Sequence, residues 1–160
     1  MTRVGLGFDM HPLIRGRPLV LGGVTIPAEA GLGGHSDADV LSHAVGEALL
    51  GALALGDLGR HFPDTDPRYR GISSLVLLEK VVELLRARGA WPVNVDGTIL
   101  AQAPRLGPYL PQMARRLADT LGLAEDAVSV KAKSPEGLGV VGRQEGMAAM
   151  AVVSVGMEGA

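Results

Sequence analysis

Apolar residues recur at helical spacing in three stretches of the chain. The first stretch carries them at Leu41, Ala44, Ala48, Ala52 and Leu55. This spacing forms one apolar stripe on a helix and predicts a helix from an N-cap at Ser36 to about Leu55. The same pattern predicts a second helix, capped by Ser73 or Ser74 and running to about Arg88, and a third over about 109–121.

Runs of alternating or continuous apolar residues predict the strands. These lie at 2–8, 19–26, 93–102, 127–132 and 147–155. Gly22-Gly23 divides the second run and predicts a hairpin, and Asp96-Gly97 predicts a bulge in the third. The last run is almost entirely apolar, which is typical of a strand buried on both faces. The elements together predict one α+β domain over 1–160, a two-layer sandwich with helices on one face of a mixed sheet.

Two connections separate these elements. Residues 27–34 are predicted to form a loop, and residues 56–72 form a longer connection rich in Gly, Pro and Asp. A connection of that length in a compact domain is usually functional or mobile. A Gly-rich segment, 133–143, precedes the last strand.

Composition limits the class of protein. The chain is 47% hydrophobic, yet it has no uncharged run of the about 18 residues that would span a membrane. We therefore interpret the high fraction of hydrophobic residues as a sign of a subunit interface. A net charge of −2 and five aromatic residues do not favour a nucleic-acid surface, and the absence of Cys excludes disulfides, thiolate zinc sites and thiol nucleophiles. The first residues do not have the order of a signal peptide, so we expect a cytoplasmic protein.

Asp9, His11 and His43 are the strongest candidates for chemistry. Residues two apart in an extended chain point the same way, so Asp9 and His11 can bind one ion at the end of the first strand, before Pro12. His43, on the predicted helix, would complete a set of two imidazoles and one carboxylate. Three such ligands bind catalytic Zn²⁺ and leave a fourth position for substrate. A surface histidine and a turn-capping aspartate are the alternative that the spacing leaves open.

The predicted start of the first helix offers a second candidate. There His35 and Ser36 would present free N–H groups and the positive end of the helix dipole to an anion. His35, Asp39 and His43 are four residues apart and would share one helix face. Asp39 or Glu47 is expected to orient the ring of His43, with helix capping as the alternative for Asp39.

Charged loop residues allow two interpretations each. The acids Asp57, Asp64, Asp66 and Glu136 could bind a hard cation such as Mg²⁺ or merely stabilise turns. The bases Arg105, Lys131, Lys133 and Arg143 could contact phosphate or be solvated surface charge. The sequence contains no P-loop, Rossmann, HExxH or GxSxG motif.

Six segments together resemble one family. They are GxGFDxH at 5–11, LGGVTIP at 21–27, HSDADVLSHA at 35–44, ALGDLGRHFPDTDPRYRG at 54–71, NVDGTILAQAPRLGPYLPQM at 94–113, and 130–146 with VKAK, EGLG and GRQEG. The chain resembles the 2-C-methyl-D-erythritol 2,4-cyclodiphosphate synthases of the non-mevalonate isoprenoid pathway. This resemblance implies cyclisation of 4-diphosphocytidyl-2-C-methyl-D-erythritol 2-phosphate with release of CMP.

The resemblance also implies an assembly and a set of sites. It implies a homotrimer whose sheets face the central axis, with active sites between neighbouring subunits. It implies Zn²⁺ on Asp9, His11 and His43, Mg²⁺ or Mn²⁺ with the help of Glu136, and catalytic roles for His35 and Ser134. The implied contacts with the methylerythritol phosphate are Ser36, Asp57, Leu58, Gly59, Phe62, Pro63, Asp64, Thr65 and Asp66. The other implied substrate contacts are Ala101, Gln102, Ala103, Pro104, Arg105, Leu106, Gly107, Ala132, Lys133, Pro135, Val140 and Arg143, of which 101–107 and 131–134 form the cytidine pocket.

Two positions depart from the family pattern. Lys133-Ser134-Pro135 replaces a run of Thr, although Ser134 keeps a hydroxyl. Val140 replaces a common Phe near the trimer axis, which argues against the isoprenoid-binding cavity of some relatives, although Arg143 and Glu145 are retained.

Two other functions are alternatives to a cyclising synthase. A zinc phosphodiesterase would release CMP from the same type of substrate by hydrolysis, and a metal-stabilised trimer could be a binding module without catalysis. The synthase reaction suits this sequence because its nucleophile is an anionic phosphate oxygen and its leaving group is CMP. Such a reaction requires positioning and charge neutralisation rather than a covalent nucleophile.

Overall fold

The computed structural model describes residues 1–159. Its strands are β1 (Thr2–Arg15), β2 (Leu19–Leu21), β3 (Val24–Ile26), β4 (Ala30–Leu32), β5 (Ala90–Leu100), β6 (Val128–Lys133) and β7 (Gly146–Met157). Its α-helices are α1 (Val40–Ala52), α2 (Leu58–His61), α3 (Ser74–Arg86), α4 (Leu110–Leu121) and α5 (Gly139–Gly142). Short 3₁₀ helices lie at Pro67–Tyr69, Gly107–Tyr109 and Glu125–Ala127.

The main sheet has five strands in the order β4-β1-β7-β5-β6. β5 and β6 are parallel and the other neighbours are antiparallel, so the sheet is mixed, as predicted. β2 and β3 form the predicted hairpin at Gly22-Gly23. The helices α3 and α4 match the predicted second and third helices. The α+β fold class is therefore confirmed.

The sheet has one buried and one exposed face. Helix α1 packs across β1, β7 and β5, and a single core cluster includes Leu41, Leu49, Ile99 and Val153. The opposite face exposes the apolar side chains of Val4, Leu6, Phe8, Met10, Met150 and Val152. Within a single chain the last strand is buried on one face only, contrary to the prediction, because its side chains alternate and only one set meets the helices.

β1 lies unusually close to α1. A Cβ atom built on Gly7 would lie 1.9 Å from the carbonyl oxygen of Ala44, and one built on Gly5 would lie 1.9 Å from that of Ala48. These strand positions therefore have no room for a side chain. The small residues of β1 and α1 bring the strand that carries Asp9 and His11 against the helix that carries His43.

Three predictions about the strands are wrong. β1 does not end before Pro12: the strand exchanges β7 for β4 as its partner there, and the carbonyl of Pro12 still accepts from Gly33 N at 2.8 Å. The predicted loop over 27–34 contains β4, because residues 30–32 pair with the part of β1 that follows Pro12. The bulge in β5 lies between Pro92 and Asn94 rather than at Asp96-Gly97, since proline has no N–H for the ladder.

The N-cap of α1 is Asp39 and not Ser36. Ala38 has φ +58°, a left-handed conformation that interrupts any helix running through 36–39. The Asp39 carboxylate accepts from Ser42 N at 3.0 Å, whereas Ser36 Oγ accepts from Ala38 N in a turn. His35 and Ser36 therefore precede the helix, and the prediction that they lie at its first turn is wrong.

Asp39 also joins α1 to the hairpin. The carboxylate is fully buried and accepts from Gly22 N at 2.9 Å, Gly23 N at 2.7 Å and Ser42 Oγ at 2.7 Å. Burial raises the pKa of this carboxyl, although the hydrogen bonds from Ser42 and Gly23 act to lower it. Four donors thus share two oxygens, an arrangement that an amide cannot reproduce.

We expect Asp39→Asn to lower the free energy of unfolding by about 3 kcal/mol, because its NH₂ group faces buried donors. The melting temperature should fall by roughly 6–12 °C in calorimetry. Ser36→Ala is the matched control, since it removes no helix cap and should cost about 1 kcal/mol. A larger loss for Ser36→Ala than for Asp39→Asn would contradict this assignment of the cap.

Candidate active site

Asp9, His11 and His43 converge at the contact between β1 and α1. Asp9 Oδ2 lies 2.7 Å from His11 Nε2 and 3.0 Å from His43 Nδ1, and the two ring nitrogens are 3.1 Å apart. Asp9 and His11 are in the middle of β1 rather than at its end, and they share a face because they are two residues apart. The predicted convergence is confirmed, and this cluster could hold a metal ion.

The remaining polar atom of each ligand is also engaged. His11 Nδ1 lies 2.8 Å from the carbonyl oxygen of Gly33, which can only accept, so Nδ1 carries the proton and Nε2 is left for a metal. Asp9 Oδ1 accepts from Met10 N at 2.9 Å, which leaves Oδ2. His43 Nε2 contacts serine hydroxyls, so its Nδ1 faces the cluster. Such outer contacts are typical of metal ligands.

The electrostatics of the cluster favour a cation. Burial acts to raise the pKa of the Asp9 carboxyl, but the neighbouring imidazoles of His11 and His43 outweigh burial and hold that pKa well below its usual range. Burial acts to lower the pKa of the His11 imidazole, but the hydrogen bond and the charge of Asp9 raise it above its ordinary value. Positive charge beside the Asp9 carboxylate is thus favoured, and a divalent ion held by the three residues would supply it.

The donor set fits Zn²⁺. Bonds of about 2.0–2.1 Å in a tetrahedral site require ligand atoms about 3.3 Å apart, close to the separations between the three ligand atoms. Two imidazole nitrogens and one carboxylate oxygen are a common ligand set for catalytic zinc. One coordination position would remain open.

A cavity of about 300 Å³ adjoins the three ligands. The predicted site residues that line it are His35, Ser36, Leu58, Phe62 and Asp64, together with Asp9, His11 and His43. Tyr69 and Leu77 also line it, although sequence reasoning did not include them. The rings of Phe62 and Tyr69 pack edge to face, with their centroids 5.4 Å apart. The connection over 56–72 therefore folds back on itself at this cavity.

The other predicted residues of this connection do not line the cavity. Asp57 caps α2 by accepting from Arg60 N at 2.8 Å, and Asp66 binds the side chain of Arg68 at 2.6 Å. These two acids therefore stabilise turns within one chain. Gly59, Pro63 and Thr65 lie in the same segment without lining the cavity.

A second cavity, of about 450 Å³, lies at the ends of β5 and β6. The predicted residues that line it are Ala101, Gln102, Pro104, Arg105, Leu106, Gly107, Ala132, Lys133 and Ser134. The segment after β5 and the loop after β6 are joined by a hydrogen bond, in which Gly137 N donates to Gln102 Oε1 at 2.9 Å. Ala103 lines a different cavity on the far side of Pro104.

The structure does not bring every predicted residue to the metal cluster. Glu136 and Ser134 are not part of that cluster, and Ser134 Oγ accepts from Glu136 N at 3.1 Å in the loop after β6. Val140 lines a separate cavity of about 320 Å³ beside His11. Arg143 binds the carboxylate of Glu145 at 2.7 Å on the surface.

The residues that orient His43 were not predicted. Neither Asp39 nor Glu47 forms a hydrogen bond with the ring: Asp39 binds the hairpin, and Glu47 accepts from Leu58 N at 3.1 Å. Burial raises the pKa of the Glu47 carboxyl. Ser74 and Ser36 contact His43 instead. Ser74 is 31 positions away in the sequence, so no local spacing could have indicated it.

The fold and the site together define an α+β domain with a candidate catalytic metal centre between a strand and a helix. Known proteins match nearly the whole chain. The model of the YgbB family matches residues 2–156. A 2-C-methyl-D-erythritol 2,4-cyclodiphosphate synthase of Desulfitobacterium hafniense is 59% identical over 153 residues, which cover 96% of this chain and 97% of that protein. The synthase of Bordetella pertussis is 58% identical over 157 residues, covering 98% and 97%.

Solved structures agree with these relatives. A structure of 2C-methyl-D-erythritol-2,4-cyclodiphosphate synthase has a TM-score of 0.89 at 40% identity and covers 96% of this chain and 100% of that one. The bifunctional IspDF of Campylobacter jejuni has a TM-score of 0.94 at 40% identity, with 98% of this chain matched to 42% of that one. The chain belongs to the YgbB family, the 2-C-methyl-D-erythritol 2,4-cyclodiphosphate synthases.

Proposed function

We propose that this chain converts 4-diphosphocytidyl-2-C-methyl-D-erythritol 2-phosphate to 2-C-methyl-D-erythritol 2,4-cyclodiphosphate and CMP, in isoprenoid precursor biosynthesis. The observation that carries the proposal is the cluster of Asp9, His11 and His43 at an open cavity, in a member of this family. The reaction is an intramolecular phosphoryl transfer. An oxygen of the 2-phosphate bonds to the β-phosphorus, and the bond from that phosphorus to the oxygen of CMP breaks.

The protein's part is positioning and neutralisation of charge. Nucleophile and leaving group are both phosphate oxygens, so neither a covalent enzyme nucleophile nor a strong general base is required. The cavity beside Asp9 and His11 suits the methylerythritol phosphate, with His35 and Ser36 on one wall and Phe62 on another. The folded connection over 56–72 would exclude water, which competes with the 2-phosphate as nucleophile.

Two metal ions belong to the proposal. Asp9, His11 and His43 would hold Zn²⁺, and Glu136 would help to hold Mg²⁺ or Mn²⁺. Zn²⁺ supplies Lewis-acid polarisation of the β-phosphate when it is bound, and the second cation neutralises charge on the diphosphate. The ligand atoms of the three-residue cluster support the first assignment, and the resemblance to the family supports the second.

A homotrimer with sites between subunits is part of the same proposal. Within one chain the cavity at the metal cluster and the cavity at Ser134 have no lining residue in common, although one substrate must reach both. A neighbouring subunit could bring the second cavity, as the cytidine pocket, to the first. The exposed apolar face with Leu6, Phe8 and Val152 supports sheets that face a central axis. Light scattering during gel filtration tests for the trimer.

Phosphorus NMR of the product tests the proposed function. The expected result is a cyclic diphosphate together with one equivalent of CMP. A linear methylerythritol bisphosphate with CMP would instead indicate the phosphodiesterase. Tight binding of cytidine nucleotide without CMP release would indicate a binding module.

Ser134→Ala tests the assignment of the cytidine pocket. We expect kcat/KM to fall about 10–100-fold, as for loss of a hydrogen bond to a charged group. The free energy of unfolding should fall by only about 1 kcal/mol, because the residue is exposed and its hydroxyl accepts a single hydrogen bond, from Glu136 N, among residues 1–159. Ser134→Thr keeps the hydroxyl and should retain activity. Unchanged kinetics for Ser134→Ala would remove this residue from the site.

The structure has no helix among residues 1–159 that is both long and apolar enough to cross a membrane. A cytoplasmic location and a single domain over 1–160 stay predictions from the sequence.

A further inference from the structure

The ring of His43 has a specific contact on the side away from Asp9. Its Nε2 lies 2.9 Å from Ser74 Oγ and 3.1 Å from Ser36 Oγ. Ser74 is the first residue of α3 and is only 1% exposed. The contact therefore joins the start of one helix to a candidate metal ligand on another, in a place that water does not reach.

Asp37 holds Ser74 at two points. Ser74 Oγ donates to Asp37 Oδ1, and Ser74 N donates to Asp37 Oδ2 at 3.1 Å. Asp37 is held in turn, since its backbone N donates to the carbonyl of Ile72 at 3.0 Å. The turn before α1 and the start of α3 thus form one hydrogen-bonded unit beside His43.

The contact between Asp37 and Ser74 favours one nitrogen of His43 as the carrier of its proton. A serine hydroxyl has one proton, and that of Ser74 is donated to the Asp37 carboxylate, which can only accept. Ser74 therefore offers His43 only a lone pair, so the contact between them is a hydrogen bond only when Nε2 carries the proton. A neutral imidazole with its proton on Nε2 has its lone pair on Nδ1, the atom that lies 3.0 Å from Asp9 Oδ2.

We propose that Asp37 and Ser74 are positioning residues that hold His43 in the tautomer and orientation for metal binding through Nδ1. The proposal rests on the metal site of the proposed function. His11 has the equivalent contact with a backbone carbonyl, that of Gly33, which mutation cannot remove. At His43 the same task falls to two side chains, and their contribution can be measured.

Ser74→Ala tests the proposal through the Kd for Zn²⁺, measured by competition with a chromophoric chelator. We expect the Kd to rise about 10–100-fold, as for other outer contacts of metal ligands. Ser73→Ala is the matched control: Ser73 is the N-cap of α3 and accepts from Leu75 N at 3.3 Å. This control should lower the melting temperature and leave the Kd unchanged. Ser74→Thr keeps the hydroxyl and should restore most of the affinity.

Asp37→Asn separates action through Ser74 from a general structural effect. Asp37→Asn alone should raise the Kd, and it should add little in the Ser74→Ala background, because the two residues act as one unit. If Ser74→Ala does not fold, Asp37→Asn carries the Kd measurement.

The outcomes distinguish this proposal from the proposed function. A wild type that binds Zn²⁺ tightly and a folded Ser74→Ala variant with the same Kd would overturn the positioning role alone. Equal losses of affinity in Ser73→Ala and Ser74→Ala would also overturn it. A wild type that binds no Zn²⁺ would overturn the metal site and this proposal with it.

Discussion

His43→Ala should lose Zn²⁺ binding and nearly all turnover while it keeps the fold. His43 supplies one of three ligand atoms, and loss of a mere outer contact of a ligand already costs about 10–100-fold in affinity or activity. We therefore expect the Kd for Zn²⁺ to rise and kcat/KM to fall by at least about 1,000-fold. Alanine is the best helix former, so α1 should remain intact. Metal content by mass spectrometry and the rate of CMP release measure the two effects.

The matched control is His61→Ala. His61 lies in α2 outside the metal cluster, and its Nε2 lies 2.9 Å from the carbonyl of Leu55. We expect this variant to keep a full equivalent of Zn²⁺ and a circular dichroism spectrum like that of His43→Ala. Full activity of His43→Ala in a metal-free preparation would overturn the assignment of His43 as a ligand.

Gly7→Ala should prevent stable folding, although it adds one methyl group. Its Cβ would lie 1.9 Å from Ala44 O and 2.7 Å from Ala48 N, which are backbone atoms of α1 that cannot turn aside. The strand and the helix would have to separate, and we expect a loss of more than about 4–5 kcal/mol. Because domains have only about 5–15 kcal/mol of stability, the variant should be largely unfolded or insoluble. The soluble fraction and the melting curve measure this.

Gly51→Ala makes the same chemical change on the partner helix. A Cβ at Gly51 meets nothing within 4 Å, and the position is exposed near the end of α1. Alanine there should stabilise the protein by about 1 kcal/mol or less. The two Gly→Ala variants thus have opposite expected signs. A Gly7→Ala protein that melts within about 2 °C of the wild type would show that β1 and α1 are not packed as closely as described.

The sequence predicted elements whose signals are local. The apolar stripes of α3 and α4, the hairpin at Gly22-Gly23 and the mixed α+β class follow from spacing over a few residues. The ligand set of Asp9, His11 and His43 was predicted from residue types and from the two-residue spacing on an extended strand. The resemblance to the synthase family rested on segments along nearly the whole chain.

The errors occur where distant segments meet. Pro12 does not end β1, because β4 offers a new partner at that point. Asp39 rather than Ser36 caps α1, since the buried N–H groups of the hairpin lie beside Asp39. Met150 and Val152 are exposed because helices cover only one face of the sheet. Each outcome depends on a contact between elements that no window of sequence contains.

The sequence by itself determined the kinds of atoms available for chemistry: two imidazoles, one carboxylate, and a chain without thiols. Only the tertiary structure decided which atoms of those residues meet and what holds them. Local patterns report the preferences of a few neighbouring residues, whereas the contact of Ser74 with His43 and the fit of Gly7 against Ala44 arise only when the elements pack. The residue types thus supply the ligands of the site, and the packing of strand against helix brings those ligands together.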